Sequence, residues 1–256
     1  LSDRLAEEKA LLAGGPMKMS FTFVPEKRDG APDKILLETR RVGKTYPGCE
    51  PLFENVSFQL KASDKFVLVG PNGCGKTTLL SILLGRVSEF DGDVLISSSA
   101  ECGYMGQFIP FEDEEREVID ELFSRSDLTE TAARNMLARF GFRDIDVFKK
   151  LNVLSGGERS RLYLCCLLQE SPDILFLDEP TNHLDIQSRE ILENALSEYT
   201  GAILAVSHDR YFIEKCSRGI LGFADRRVLP YANYREFREA EKAASASKAP
   251  SAASAK

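Results

Sequence analysis

The run Lys65-Phe66-Val67-Leu68-Val69-Gly70-Pro71-Asn72-Gly73-Cys74-Gly75-Lys76-Thr77-Thr78 constrains this chain more than any other feature. After Lys65, Phe66–Val69 are a continuous apolar stretch, as expected for a strand buried on both faces. The next eight fit G-x-x-x-x-G-K-[ST], and a helical pattern follows from Lys76 to Leu84. Glycines between a buried strand and a helix let successive backbone N–H groups wrap an anion, and the helix dipole adds to the attraction. Lys76 is placed to reach the β- and γ-phosphates of a nucleotide, and the Thr77 hydroxyl to hold Mg²⁺. Gly70, Asn72, Gly73, Cys74, Gly75, Lys76, Thr77 and Thr78 are the candidate nucleotide-binding residues of this loop. Cys74 serves there by its small size more than by its thiol.

A second apolar strand, Ile174-Leu175-Phe176-Leu177, ends in Asp178-Glu179. Acids at the C-terminal edge of a parallel sheet stand where α/β proteins bind ligands. Asp178 is the expected Mg²⁺ partner, through water. Glu179 is the expected general base that polarises an attacking water. Strands at Ile35–Leu37 and Val56–Leu60 read as an edge sheet, and Val94–Ser97 and Ala202–Ser207 as further strands. Helical patterns cover Glu158–Gln169 and Ser188–Tyr199. Alternation of strand and helix implies an α/β fold with a largely parallel sheet. Residues 111–170 read as an inserted helical subdomain. Ala133, Met136, Leu137 and Phe140 form its core face, Gly141 caps a helix, and Asp113–Glu117 opens one as a solvated first turn. Lys149-Lys150 reads as solvated.

Between the two strands stands Leu154-Ser155-Gly156-Gly157-Glu158. Gln107, after Tyr104-Met105-Gly106, sits at an expected strand-to-helix switch, and His208 ends the strand after Ala202. Alone, a glutamine is a surface residue and a histidine a structural one; in this pattern Gln107 would touch Mg²⁺ and water, and His208 the γ-phosphate. Tyr46, thirty positions before Lys76, either stacks on adenine or is a surface tyrosine beside Pro47-Gly48.

The phosphate loop, Gln107, Leu154–Gly157, Asp178-Glu179 and His208 occur in the order found in ATP-binding cassette (ABC) proteins. Over about residues 34–240 the chain resembles their nucleotide-binding domain. The resemblance implies a P-loop NTPase cassette with an antiparallel edge β-subdomain and a helical subdomain at about 108–170. It implies ATP and Mg²⁺ as ligands and two cassettes sandwiching two ATPs. Ser155, Gly156, Gly157 and Glu158 would act in trans on the partner's ATP, and Asp185 would lie at the loop joining the sites. Glu179-Pro180-Thr181-Asn182-His183-Leu184-Asp185 and Ser207-His208-Asp209-Arg210-Tyr211-Phe212 look like the ABC-F subfamily. So do Met19-Ser20-Phe21 and Tyr231-Ala232-Asn233-Tyr234, although Ala232 replaces the usual glycine. ABC-F proteins carry two cassettes joined by a charged helical linker and act on the ribosome. The expectation is a C-terminal cassette, with residues 1–33 the end of the incoming linker and partners in a second cassette, ribosome and tRNA. A transporter cassette, an ATP-gated RNA-binding module and a chromosome-maintenance ATPase are the alternatives.

Composition narrows the setting. A net charge of −7 disfavours a general nucleic-acid coat, and two histidines exclude a histidine-rich metal site. No apolar run approaches a membrane span, and no secretory signal opens the chain. Six cysteines without a CxxC pair fit reduced thiols in a cytoplasmic compartment. The Ala/Ser/Lys-rich segment 241–256 reads as disordered.

Overall fold

The computed structural model describes residues 32–247, so all but the last two residues of the expected linker end at 1–33, and the residues after Ser247, lie outside the described part. Two sheets organise the molecule. The first is antiparallel, in the order β2 (Phe53–Lys61), β1 (Ile35–Lys44), β4 (Asp91–Ile96). The second has six strands: β5 (Cys102–Met105), β6 (Ile174–Asp178), β7 (Ala202–Val206), β3 (Lys65–Val69), β8 (Gly219–Ala224) and β9 (Arg227–Tyr231). Its pairs are parallel from β5 through β8, and β9 closes it antiparallel.

Apart from Lys65 and Asp178 at their ends, the central strands β3, β6 and β7 are apolar because both faces are covered. Side chains alternate between the faces, so two cores form. Leu68, Ile174, Phe176, Leu204 and Val206 join the antiparallel sheet and helix α1 (Lys76–Leu83) in one core. Val67, Val69, Leu175, Leu177, Ile203 and Ala205 face the other helices. These are α2 (Val118–Phe123), α3 (Glu130–Arg139), α4 (Gly156–Glu170), α5 (Ile186–Glu198), α6 (Arg210–Cys216) and α7 (Tyr234–Ser247). Helices α2 and α3 with two short 3₁₀ turns make the helical subdomain between β5 and α4. Ala133, Leu137 and Phe140 are buried there, Met136 packs against them, and Gly141 ends α3 with φ 86°.

Several expectations need correction. The first two strands extend well beyond Ile35–Leu37 and Val56–Leu60. Arg40 and Arg41 interrupt the apolar pattern, but Arg41 (φ 51°) sits at an irregularity that lets pairing resume at Val42. Asp113–Glu117 is not a helical turn, and two of its acids are held from afar. Glu114 bonds Arg159, and Glu115 bonds Lys150 and Asn152. Lys149 likewise pairs with Asp146 and Glu158, so neither lysine is merely solvated. Strands β8 and β9 carry too little alternation to be read locally. Residues 241–247, expected to be disordered, continue α7, for which alanine is well suited. Its anchor is Phe237, whose ring fills the space left by Gly222 of β8.

Candidate functional site

The site is built where β3 and β6 end. Gly75 caps α1 with φ 107°, a conformation that L side chains rarely adopt. A Cβ there would also stand 2.7 Å from the Phe53 ring. This glycine therefore lets the loop turn into the helix while packed on β2. Lys76 follows, almost wholly buried, and its ammonium donates to the carbonyls of Gly70 (3.0 Å) and Pro71 (2.9 Å). The loop is thus folded around the lysine's own charge. Cys74 lies half-buried against Gly70, and burial pushes its thiol pKa up, in keeping with a packing role.

Asp178 is the last residue of β6 and is buried. The Thr77 hydroxyl donates to its Oδ1 at 3.3 Å, joining the start of α1 to the end of β6. Burial raises the Asp178 pKa, against the opposing pull of Thr77 and Lys76. Glu179 turns out of the strand with φ 51°, while its N–H donates to the Val206 carbonyl (2.9 Å). Its side chain is 10% exposed and faces His208. The His208 backbone N–H donates to Oε2 at 3.3 Å, and Nε2 lies 3.5 Å from Oε1. Burial raises the Glu179 pKa, partly offset by that N–H and by Lys76. Burial and the Lys76 charge lower the His208 pKa, so the imidazole is neutral at neutral pH. The side-chain contact is therefore a polar one and not an ion pair.

A cleft of about 600 Å³ opens over these groups. Tyr46, Asn72, Gly73, Gly75, Lys76, Thr77, Thr78, Gln107, Glu179 and His208 line it. Residues separated by more than 160 positions thus converge on one cleft. Gly70 and Cys74 form the loop behind the lining, and Asp178 reaches it through Thr77. Gln107 does not stand at a strand-to-helix switch: β5 ends at Met105 and α2 begins only at Val118. The intervening loop carries it to the cleft. The Tyr46 ring stands at the mouth with the Lys44 ammonium 4.8 Å from its centroid. Leu52, Asn182 and Val206 also line the cleft and were not singled out from sequence. Asn182 could have been, since it belongs to the Glu179–Asp185 motif; its N–H donates to the Glu179 carbonyl (3.1 Å).

The donor set suits a hard divalent cation. One buried carboxylate, one hydroxyl and one carboxamide face the phosphate loop, and no cluster of three or more His, Cys, Asp or Glu exists among the described residues. Mg²⁺ is characteristically held this way, by few protein ligands together with phosphates.

Ser155–Glu158 and Asp185 stand apart from the cleft lining. Ser155 caps α4, accepting from the Glu158 N–H (3.3 Å), while Glu158 accepts from the Ser155 N–H (2.9 Å). This reciprocal pair is a capping box. Asp185 caps α5 through the N–H (2.8 Å) and hydroxyl (2.8 Å) of Ser188, bonds that lower its pKa.

Among the described residues no helix is long and apolar enough to cross a membrane. The family model described as ABC transporter matches residues 53–182. The ribosome protection protein VmlR of Bacillus subtilis is 41% identical over 196 residues, 76% of this chain and 35% of VmlR. The energy-dependent translational throttle protein EttA of Escherichia coli K12 is 34% identical over 212 residues, 80% of this chain and 38% of EttA. Both relatives are ABC-F proteins. The chain spans about a third of the length of these curated relatives. Among solved structures, the ATP-binding cassette MJ0796, a dimer in a post-hydrolysis state with ADP and Pi, superposes with a TM-score of 0.63. It is 22% identical, with 77% of this chain and 98% of that one covered, which shows the shared fold. With the family model spanning both the phosphate loop and the Asp178-Glu179 strand end, the chain belongs to the ABC transporter family and carries its ATPase cassette.

Proposed function

We propose that this cassette binds MgATP in the cleft, closes against a second cassette, and reopens when Glu179 promotes hydrolysis. The observation that carries the reading is the convergence of Lys76, the Thr77–Asp178 pair and the Glu179–His208 pair on one cleft. Thr77, Asp178 and Gln107 would hold Mg²⁺, which when bound offsets charge on the phosphates. The loop amides and Lys76 bind and orient the phosphates, for which Lys76 exchanges a carbonyl partner for phosphate oxygen. Glu179 accepts a proton from the attacking water, and its burial makes it a better acceptor than an exposed carboxylate. His208 fixes the Glu179 carboxylate through its backbone N–H and presents a neutral imidazole toward the γ-phosphate. Tyr46 stacks on the adenine. Ser155 and Gly157, outside this cleft, serve the ATP of the partner cassette, with Asp185 at the joining loop.

We further propose that the cassette is the second of an ABC-F protein acting on the ribosome in the cytoplasm. Supporting this are the Glu179–Asp185 and Ser207–Phe212 segments and the names of relatives at 34–41% identity. Calorimetry and phosphate release on the 256-residue chain test the ATPase reading. Lys76→Ala should weaken ATP binding by roughly tenfold or more, the worth of a charge-assisted bond; unchanged affinity would reject its role. Sedimentation of the Glu179→Gln chain with ribosomes in the presence of ATP tests the second. Recovery with membranes instead would favour a transporter cassette.

A further inference from the structure

The grip of His208 on Glu179 depends on where the loop 207–209 sits, and one side chain from outside the loop holds it. Asp209 accepts at Oδ1 from the N–H groups of Tyr211 (2.9 Å) and Phe212 (3.4 Å), capping α6. Its own N–H donates to Ser207 Oγ (3.1 Å). Its second oxygen, Oδ2, meets Nη1 of Arg189 at 3.0 Å. Arg189 stands on the first turn of α5, directly after Ser188, which is bonded to Asp185.

This arginine is an inefficient way to gain stability. Its side chain is 38% exposed, and a pair of that kind contributes little. Its Nε is buried without a hydrogen-bond partner, which is unfavourable. Its geometric consequence is larger: it ties the α5 turn to the residue next to His208, and so to the His208 N–H that holds Glu179 at 3.3 Å. We infer that Arg189 is a positioning residue for hydrolysis, acting through Asp209 to hold His208 and the Glu179 carboxylate in register. The inference rests on the proposed role of Glu179.

Single-turnover ATP hydrolysis by the full chain, with ATP affinity measured alongside, tests it. Arg189→Ala should slow hydrolysis on the order of tenfold, as small misplacements of a catalytic group do, with nucleotide affinity and Tm near those of the parent. Arg189→Lys should recover most of the rate, since one nitrogen makes the contact. Asp209→Asn, which keeps the cap but loses the charge, should slow the reaction alike, and combining it with Arg189→Ala should add little. Parent-like hydrolysis by Arg189→Ala overturns the inference alone, as does a loss that follows Tm. Absence of ATP binding and hydrolysis in the unmodified chain overturns the proposed function and this inference with it.

Discussion

Gly157 and Ser188 are in such close approach that a Cβ on the glycine would stand 2.8 Å from the Ser188 hydroxyl oxygen and 2.9 Å from Asp185 Oδ2. Ser188 is 1% exposed and bonded to Asp185, so it has little freedom to withdraw. The start of α4 therefore rests directly on the start of α5. Gly156, one residue earlier, has nothing within 4 Å of its virtual Cβ.

The two neighbouring glycines should respond oppositely to alanine. Gly156→Ala should be neutral or stabilising by about 0.5 kcal/mol, from helix propensity. Gly157→Ala should destabilise by about 1–3 kcal/mol through overpacking. Thermal unfolding of both variants checks this, and equal Tm values would mean that α4 and α5 do not meet as described.

Glu179→Gln should abolish most turnover, by about 10²–10⁴-fold, while making the protein more stable at neutral pH. Burial raises the Glu179 pKa in the folded state, so the folded chain holds this proton more tightly than the unfolded chain. The carboxyl's favourable contribution is complete below its unfolded pKa of about 4.3 and is lost as pH rises through the folded value. Gln carries no such loss. Its Tm advantage should be ~2–4 °C for each kcal/mol gained at pH 7 and should shrink toward pH 4. A Tm at pH 7 no higher than that of the parent would show that Glu179 is not penalised by burial.

Lys65, at the start of β3, is buried, and its ammonium donates to the carbonyls of Leu196 and Ser197, each at 2.9 Å. It thereby caps α5 from a neighbouring strand. Lys65→Met keeps the stem but strands two acceptors, and should lower stability by about 1–2 kcal/mol. A Met variant as stable as the parent would show that desolvation of the ammonium, which lowers its pKa together with Arg218, cancels the cap.

Tyr46 stands 44% exposed at the cleft mouth. Tyr46→Ala should weaken ATP binding by ~2–10-fold, the worth of an aromatic stack, whereas Tyr46→Phe should bind like the parent. Loss in both variants would assign the affinity to the hydroxyl instead of the ring.

The sequence by itself determined the strand–loop–helix around Gly70–Thr77, the acid-tipped strand at Asp178-Glu179 and the helix over Glu158–Gln169. Each rests on preferences expressed within a few residues: continuous apolarity, glycine spacing and helical periodicity. It also ordered Tyr46, Gln107 and His208 as candidates, and the fold brings all three to one cleft. It missed β8 and β9, which carry too little alternation, misplaced Gln107 at a helix start, and took Asp113–Glu117 for a helical turn, where the distant partners Arg159 and Lys150 hold Glu114 and Glu115. Only the tertiary structure decided that Gly157 rests on Ser188, that Lys65 caps α5 and that Arg189 holds Asp209. Periodicity and propensity act along the chain over a turn or two. Close approach and charge pairing act across it, between elements whose separation in space no local pattern encodes.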